Sequence, residues 1–182
     1  MLIVVTGPMF SGKSTFLTTH ARAASDRGGL VQAFKHAFDT RYSERAIATH
    51  SGDKLPCLLA RTPNEILRHL KEGVTKVVID EAQFFDDGIV KAVQYLLELG
   101  IDVTVGGLDL DYRGEPFGPM PDLMAIADDV VKVTGVCSKC QAPSTRTQRM
   151  VLDSSTVLVG GEAEYEPRCL ECWHVTPPAP VV

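Results

Sequence analysis

Residues 7–14 read Gly7-Pro8-Met9-Phe10-Ser11-Gly12-Lys13-Ser14, which fits the pattern G-x-x-x-x-G-K-S/T. The apolar, β-branched run 1–6 before them predicts a buried strand, and residues 15–27 after them predict a helix. In this setting the loop N–H groups and the helix N-terminus carry partial positive charge that attracts a polyphosphate. A glycine-rich turn that matches by chance is the alternative. The stretch predicts a P-loop site for a nucleoside triphosphate, with Lys13 on its β- and γ-phosphates and the Ser14 hydroxyl on Mg²⁺.

The composition is that of an ordinary globular chain and limits its partners. With 182 residues, 45% of them hydrophobic, the chain has room for one sizeable domain and a small appendage. Its net charge of −5 supplies no basic field for nucleic acid, and no apolar run reaches the length of about 18 residues that suggests a membrane span. The first strand leads into the loop without the basic segment of an export signal. We therefore expect a cytoplasmic protein with neither nucleic acid nor a membrane as partner.

Strand-like and helix-like stretches alternate along residues 1–135 and predict an α/β domain with a mostly parallel sheet. The further strands are predicted at residues 30–34, 76–80, 101–105 and 130–133. The further helices are predicted from Pro63 to Gly73, from Asp86 or Asp87 to Gly100, and over residues 120–127. Residues 37–54 are polar and lack periodicity, so we expect a mobile loop there.

Two carboxylates follow the apolar run Val77-Val78-Ile79. Asp80 and Glu81 stand at the end of this predicted strand, where open α/β sheets place their ligands. In folds with this phosphate loop, such an aspartate holds Mg²⁺ directly or through water, which leaves Glu81 to orient or deprotonate a nucleophile. Glu81 exposed in the following turn is the alternative. The pair alone does not distinguish a kinase, which activates a substrate hydroxyl, from an ATPase, which activates water.

Four cysteines form two C-x-x-C pairs near the C-terminus: Cys137, Cys140, Cys169 and Cys172. Each pair is a tight turn that directs two sulfurs to one point, and four thiolates close a tetrahedral Zn²⁺ site of structural type. Two disulfides or four unpaired thiols are the alternatives, and His174 is a possible substitute ligand. We predict a small zinc-binding module over residues 136–176 and a disordered, proline-rich tail over residues 177–182.

Other residues have two interpretations each. Asp39-Thr40-Arg41 either positions charge over the triphosphate or is a solvated loop pair. The rings of Tyr112, Phe117 and Tyr165 either stack on one planar base or fill a small core.

Several of these stretches recur together, in this order, in one family. They are Gly7 to Ser14, Asp39-Thr40-Arg41-Tyr42, Asp80-Glu81-Ala82-Gln83-Phe84-Phe85, Gly107-Leu108-Asp109, Pro116-Phe117-Gly118 and the two cysteine pairs. Over roughly residues 1–175 the chain closely resembles the type II thymidine kinases, the tetrameric, zinc-containing class. The resemblance implies a P-loop NTPase domain followed by a zinc-binding lasso module, and a homotetramer.

The implied activity is transfer of the ATP γ-phosphate to the 5′-hydroxyl of thymidine or deoxyuridine, with Glu81 as general base. The implied ATP–Mg²⁺ site comprises Gly7, Pro8, Met9, Phe10, Ser11, Gly12, Lys13, Ser14, Asp39, Thr40, Arg41, Asp80, Glu81, Ala82 and Gln83. Segment 144–168 is similar to the family's lasso, which closes over the base. The implied nucleoside site comprises Met9, Phe84, Leu108, Tyr112, Phe117, Thr147, Thr156, Val157, Leu158, Val159, Gly160 and Tyr165.

The sequence departs from the family pattern at two positions. Leu170 stands where the family usually has Arg, and Tyr112 stands where Phe is frequent. Neither position belongs to the predicted phosphoryl-transfer residues, so substrate preference is affected more than activity class. A P-loop ATPase whose zinc module binds nucleic acid and a non-catalytic nucleotide sensor are the competing hypotheses. The first requires a basic stripe in residues 136–176, where acidic residues predominate near the C-terminal cysteines.

Overall fold

A six-stranded, wholly parallel sheet forms the framework of the protein in the computed structural model. The structure describes residues 1–38, 46–49, 52–151, 158, 160–161 and 163–175. The strands are β1 Leu2–Thr6, β2 Val31–His36, β3 Ala46–Ala48, β4 Lys54–Pro56, β5 Leu58–Ala60, β6 Lys76–Asp80, β7 Asp102–Gly107, β8 Asp129–Lys132, β9 Gly135–Val136, β10 Pro143–Ser144, β11 Arg146–Arg149 and β12 Tyr165–Arg168. The helices are α1 Lys13–Asp26, α2 Pro63–Arg68, α3 Gly88–Glu98 and α4 Met120–Ala125, with a 3₁₀ turn over Ala82–Phe84.

The sheet has the strand order β5-β2-β6-β7-β1-β8 and buries both of its faces. Successive strand residues point to opposite faces, so Val4 packs in the cluster on the side of α2, α3 and α4, while Val5 packs with Leu17 and Ala21 of α1. Covering a parallel sheet on both faces explains why its strands read as continuous apolar runs. The predicted α/β fold with a parallel sheet is confirmed.

Two local predictions are corrected. The second helix ends at Arg68 and not at Gly73, because the following chain turns toward β2: the Gln32 amide donates to the His69 carbonyl at 2.7 Å and accepts from the Lys71 N–H at 2.9 Å. The predicted loop 37–54 contains β3, which pairs antiparallel with β4. Ile47 of β3 is 1% exposed and packs on the α1 side of the sheet, which fixes this strand, while residues 39–45 and 50–51 of the predicted loop lie outside the described residues.

Two small antiparallel pairs, β9 with β10 and β11 with β12, follow the large sheet. β11 and β12 lie within the predicted zinc-binding module 136–176, whereas the predicted tail 177–182 lies outside the described residues. The division into units 1–135 and 136–176 stays a prediction. Within the described part of the chain, no helix is both long and apolar enough to span a bilayer.

Candidate active site

The phosphate loop joins β1 to α1 and is shaped by its glycines. Gly7 has φ 146°, and a Cβ placed there would lie 2.2 Å from the Val133 carbonyl oxygen, so only glycine fits. Lys13 opens the helix, and its Nζ lies 3.0 Å from the Gly7 carbonyl oxygen and 2.6 Å from that of Pro8. The ammonium group is therefore held against the same loop that the sequence assigns to the phosphates.

A cleft opens at the carboxyl ends of the central strands, next to this loop. The described residues that line it are Met9, Phe10, Ser11, Gly12, Lys13, Ser14, Thr15, Lys35, Ala48, Thr49, Asp80, Glu81 and Leu108. The structure thus brings the predicted phosphate ligands and both predicted carboxylates to one cavity. Asp80 is 5% exposed, and its Oδ1 accepts the Glu81 N–H at 2.9 Å.

Glu81 is half-buried and is held by a neighbour. Its backbone has φ 57° and ψ 42°, a left-handed conformation that is uncommon for a residue other than glycine. The Gln83 Nε2 donates to its Oε2 at 2.6 Å, and the Gln83 Oε1 accepts the Leu108 N–H at 3.0 Å. Gln83 itself is 3% exposed. The carboxylate therefore lines the cleft with one oxygen fixed, in contrast to the solvent-facing alternative.

The four paired cysteines converge, as their spacing predicts. The sulfurs of Cys137, Cys140, Cys169 and Cys172 lie within 4.8 Å of one another. Tetrahedral Zn²⁺ with bonds of about 2.3 Å places its sulfurs about 3.8 Å apart, and the Cys140 and Cys169 sulfurs are separated by 3.6 Å. A disulfide requires about 2.05 Å, and all four residues are free thiols. The set fits a closed structural zinc site, without a contribution from His174.

Main-chain groups surround this cluster and act on its sulfurs. Burial raises the pKa of the Cys137 thiol, but hydrogen bonds from the backbone N–H groups of Cys169, Cys140 and Lys139 outweigh that effect and bring the pKa to about 6. Such hydrogen bonds favour the thiolate, which is the form that binds zinc. Hydrogen bonds shared with the Cys169 and Cys140 sulfurs raise the pKa of Cys172 to about 12. These hydrogen bonds therefore shift the pKa values of Cys137 and Cys172 in opposite directions within one cluster.

The module that carries the cysteines touches the phosphate loop. Thr147 on β11 is 5% exposed, and its Oγ1 accepts the Met9 N–H at 3.0 Å. On the opposite side of β11, the Gln148 Oε1 accepts the His174 N–H at 3.0 Å. β11 thus lies between the nucleotide cleft and the segment that follows the second cysteine pair.

A comparison with protein-family models finds that the thymidine kinase model matches residues 1–173. The chain belongs to the thymidine kinase family. The match covers nearly the whole chain and is consistent with the type II class, so the resemblance is confirmed. The protein is a kinase that phosphorylates thymidine, and its family implies ATP as the phosphate donor. The alternatives of a P-loop ATPase and a non-catalytic sensor are disfavoured.

Other predicted residues of this kinase occupy two aromatic groups. The Phe84 ring meets that of Phe117 edge-on at 5.7 Å and lies 5.8 Å from the His36 ring. The His36 Nδ1 accepts the Phe38 N–H at 3.1 Å, which leaves its Nε2 to donate to the Arg61 carbonyl at 3.3 Å. Burial lowers the pKa of His36. The second group contains Tyr112 and Tyr165, which share a contact with Arg149.

Some predicted residues lie elsewhere. Ala82 is wholly buried in the core. Gln83 does not line the cleft, but it bonds Glu81 and Leu108, which do. The predicted residues Asp39, Thr40, Arg41, Thr156, Val157 and Val159 lie outside the described part of the chain. Leu170 is 61% exposed, while the nearby Arg168 donates to the Cys172 carbonyl at 3.2 Å and to Glu166.

Sequence reasoning missed two buried cations that lie in or near the candidate site, Lys35 and Arg149. Lys35 is 3% exposed, lines the cleft and stands opposite Asp80 in the ladder between β2 and β6. The only sequence feature that indicates this role for Lys35 is its position at the end of an apolar strand. Arg149 is 2% exposed and has no distinguishing pattern around it. Both are placed by contacts between segments distant in sequence.

Proposed function

We propose that this thymidine kinase transfers the γ-phosphate of ATP to the 5′-hydroxyl of thymidine or deoxyuridine, giving the nucleoside monophosphate for salvage. The cleft that contains the phosphate loop, Asp80 and a fixed Glu81 is the observation that carries the proposal. Phosphoryl transfer requires mainly in-line placement and charge stabilisation, and the cleft offers groups for both.

The phosphate loop and Lys13 are proposed to bind the phosphates of ATP. We infer that Lys13 exchanges the Gly7 and Pro8 carbonyls for the β- and γ-phosphates, because a bound polyphosphate is the stronger acceptor. The Ser14 hydroxyl and the buried Asp80 carboxylate line the same cleft and are the hard oxygen ligands that Mg²⁺ prefers. When bound there, Mg²⁺ neutralises charge on the β- and γ-oxygens. The family resemblance adds Asp39, Thr40 and Arg41 to this side.

Glu81 is proposed to orient the 5′-hydroxyl and to accept its proton late in the reaction. An alcohol is a weak acid, so orientation is the larger contribution. The hydrogen bond from Gln83 fixes one carboxylate oxygen and so holds the carboxylate at the wall of the cleft, where the substrate hydroxyl is proposed to bind.

The nucleoside is proposed to bind where the lasso module meets the phosphate loop. The Thr147–Met9 hydrogen bond and the cleft position of Leu108 support this location. Tyr112 and Tyr165 supply aromatic faces, while Leu158 and Gly160 belong to the segment whose main chain is proposed to edge the base.

The zinc-binding cysteines, in this proposal, hold the base of the lasso without taking part in chemistry. A homotetramer, a cytoplasmic location and the absence of a nucleic-acid partner also belong to the proposal. The family resemblance supports the first, and the net charge of −5 supports the last.

Glu81→Gln tests the central assignment. We expect turnover to fall by about 10²-fold or more with a nearly unchanged KM for ATP, because the amide cannot accept the hydroxyl proton. Glu98→Gln, at an exposed position on α3, is the matched control. ADP formation is measured with and without thymidine. Near-normal turnover of Glu81→Gln would remove that residue from the role, and ADP release that is independent of thymidine would favour the ATPase alternative.

A further inference from the structure

Arg149 is an almost wholly buried arginine with aromatic partners. It ends β11 and is 2% exposed. Its guanidinium carbon lies 3.6 Å from the centroid of the Tyr112 ring and 5.5 Å from that of Tyr165. Arginine is rarely buried to this degree unless its charge is compensated. Stacking on Tyr112 at this distance is one such compensation, since the ring face is negative.

A second contact extends from Arg149 into the lasso. Its Nη2 donates to the Tyr165 hydroxyl at 2.9 Å, and that hydroxyl donates to the Leu158 carbonyl at 2.8 Å. Arg149 and Tyr165 are also directly opposed in the β11–β12 ladder. The guanidinium group thus joins three segments: the loop that carries Tyr112, the strand β12, and the part of the lasso that contains Leu158.

Arg149 lies on the same face of β11 as Thr147, which contacts the phosphate loop. This follows because side chains two apart on a strand share a face. The Arg149 guanidinium lies closer to the Tyr112 ring than the neighbouring Arg113 guanidinium does, which is 5.8 Å from the ring centroid. Arg149 therefore contacts the ring of Tyr112 directly and the main-chain carbonyl of Leu158 through the Tyr165 hydroxyl.

We propose that Arg149 is a positioning residue for nucleoside recognition, acting through the Tyr112 ring and through the Tyr165 hydroxyl on the Leu158 carbonyl. This inference rests on the nucleoside site proposed above. It assigns to Arg149 no contact with ATP and no part in proton transfer. Its loss is expected to raise the KM for thymidine and to leave kcat and the KM for ATP within about twofold.

The test uses Arg149→Met, Tyr165→Phe and the double variant, with steady-state kinetics in thymidine and in ATP. We expect thymidine KM to rise about tenfold in Arg149→Met and about threefold in Tyr165→Phe, the scale of one cation–π contact and one neutral hydrogen bond. The double variant is expected to equal Arg149→Met, because the hydroxyl acts in series with the guanidinium. Arg149→Lys is expected to stay impaired, since an ammonium lacks the planar fork.

Control variants distinguish a failure of the role inferred for Arg149 from a failure of the proposed nucleoside site. Tyr95→Phe and Arg68→Lys, both on helices away from the cleft, are matched substitutions that should change nothing. Tyr112→Ala reports on the nucleoside site itself: an unchanged thymidine KM there overturns that site and the inference together. If Tyr112→Ala weakens thymidine while Tyr165→Phe does not, only the role of Arg149 is overturned. That role is also overturned if the two single effects multiply in the double variant. Tyr165→Phe removes a single oxygen and decides the question if Arg149→Met does not fold.

Discussion

Replacing Gln83 by Met tests whether Glu81, the proposed catalytic carboxylate, depends on its neighbour for its position. The side chain keeps its length, but both amide contacts disappear: the bond from Nε2 to the Glu81 carboxylate at 2.6 Å and the bond from the Leu108 N–H to Oε1 at 3.0 Å. A buried thioether fits the volume and offers neither a comparable donor nor a comparable acceptor.

The two lost bonds act on different quantities. The bond to Glu81 involves an ionised acceptor and is worth about 1.5–3 kcal/mol. If that energy holds the carboxylate in its reactive position, kcat falls by about 10- to 100-fold, at about 1.4 kcal/mol per factor of ten. The Leu108 N–H is partly buried and loses its acceptor, so the free energy of unfolding falls by about 1–2 kcal/mol.

Steady-state kinetics and urea unfolding measure these two quantities independently. Gln94→Met on the exposed side of α3 is the matched control and should leave both unchanged. The KM for ATP should stay within about twofold, because Gln83 does not line the cleft. A kcat within twofold of the wild-type value, together with the expected loss of stability, would refute a positioning role and leave Gln83 with a purely structural one.

Three further predictions concern other charged and metal-binding groups. Lys35→Met should lower kcat/KM for ATP about tenfold or more, because it removes a buried cation from the cleft opposite Asp80; the exposed Lys91→Met is its kinetic control. Cys137→Ser, or chelation of zinc, should raise the KM for thymidine more than that for ATP, whereas equal losses would indicate global unfolding. Burial lowers the pKa of His36, so the folded state binds fewer protons than the unfolded state below about pH 6.5. The free energy of unfolding therefore decreases as the pH falls below about 6.5, and His36→Gln should flatten this dependence.

The parts of the fold that sequence predicts well are those governed by local patterns. The phosphate loop, β6 and the pair Asp80-Glu81 follow from an apolar run and a few spaced residues, and the structure places them at one cleft. The convergence of the four sulfurs likewise follows from two tight turns.

The parts that it misses depend on partners far along the chain. α2 stops early because a glutamine on β2 bonds the chain that follows it. Gln83 carries no signal for its bridge between Glu81 and Leu108, which are brought together only by the sheet. Lys35 and Arg149 read as ordinary charged residues until the structure shows them buried.

The alternation of side chains along β11 has a consequence for how this enzyme tolerates change. Thr147 and Arg149 lie on one face of β11, where they bond the phosphate loop and Tyr165, while Gln148 on the other face bonds the backbone beyond the last cysteine. Deleting one residue just before this four-residue strand would exchange the two sides, so that an amide would point at the phosphate loop and the threonine and arginine would point away. A register shift of one position thus disturbs the contacts of all three side chains, whereas a substitution disturbs those of one side chain. Anyone redesigning the nucleoside preference of this kinase should therefore vary side chains in this strand and keep its length.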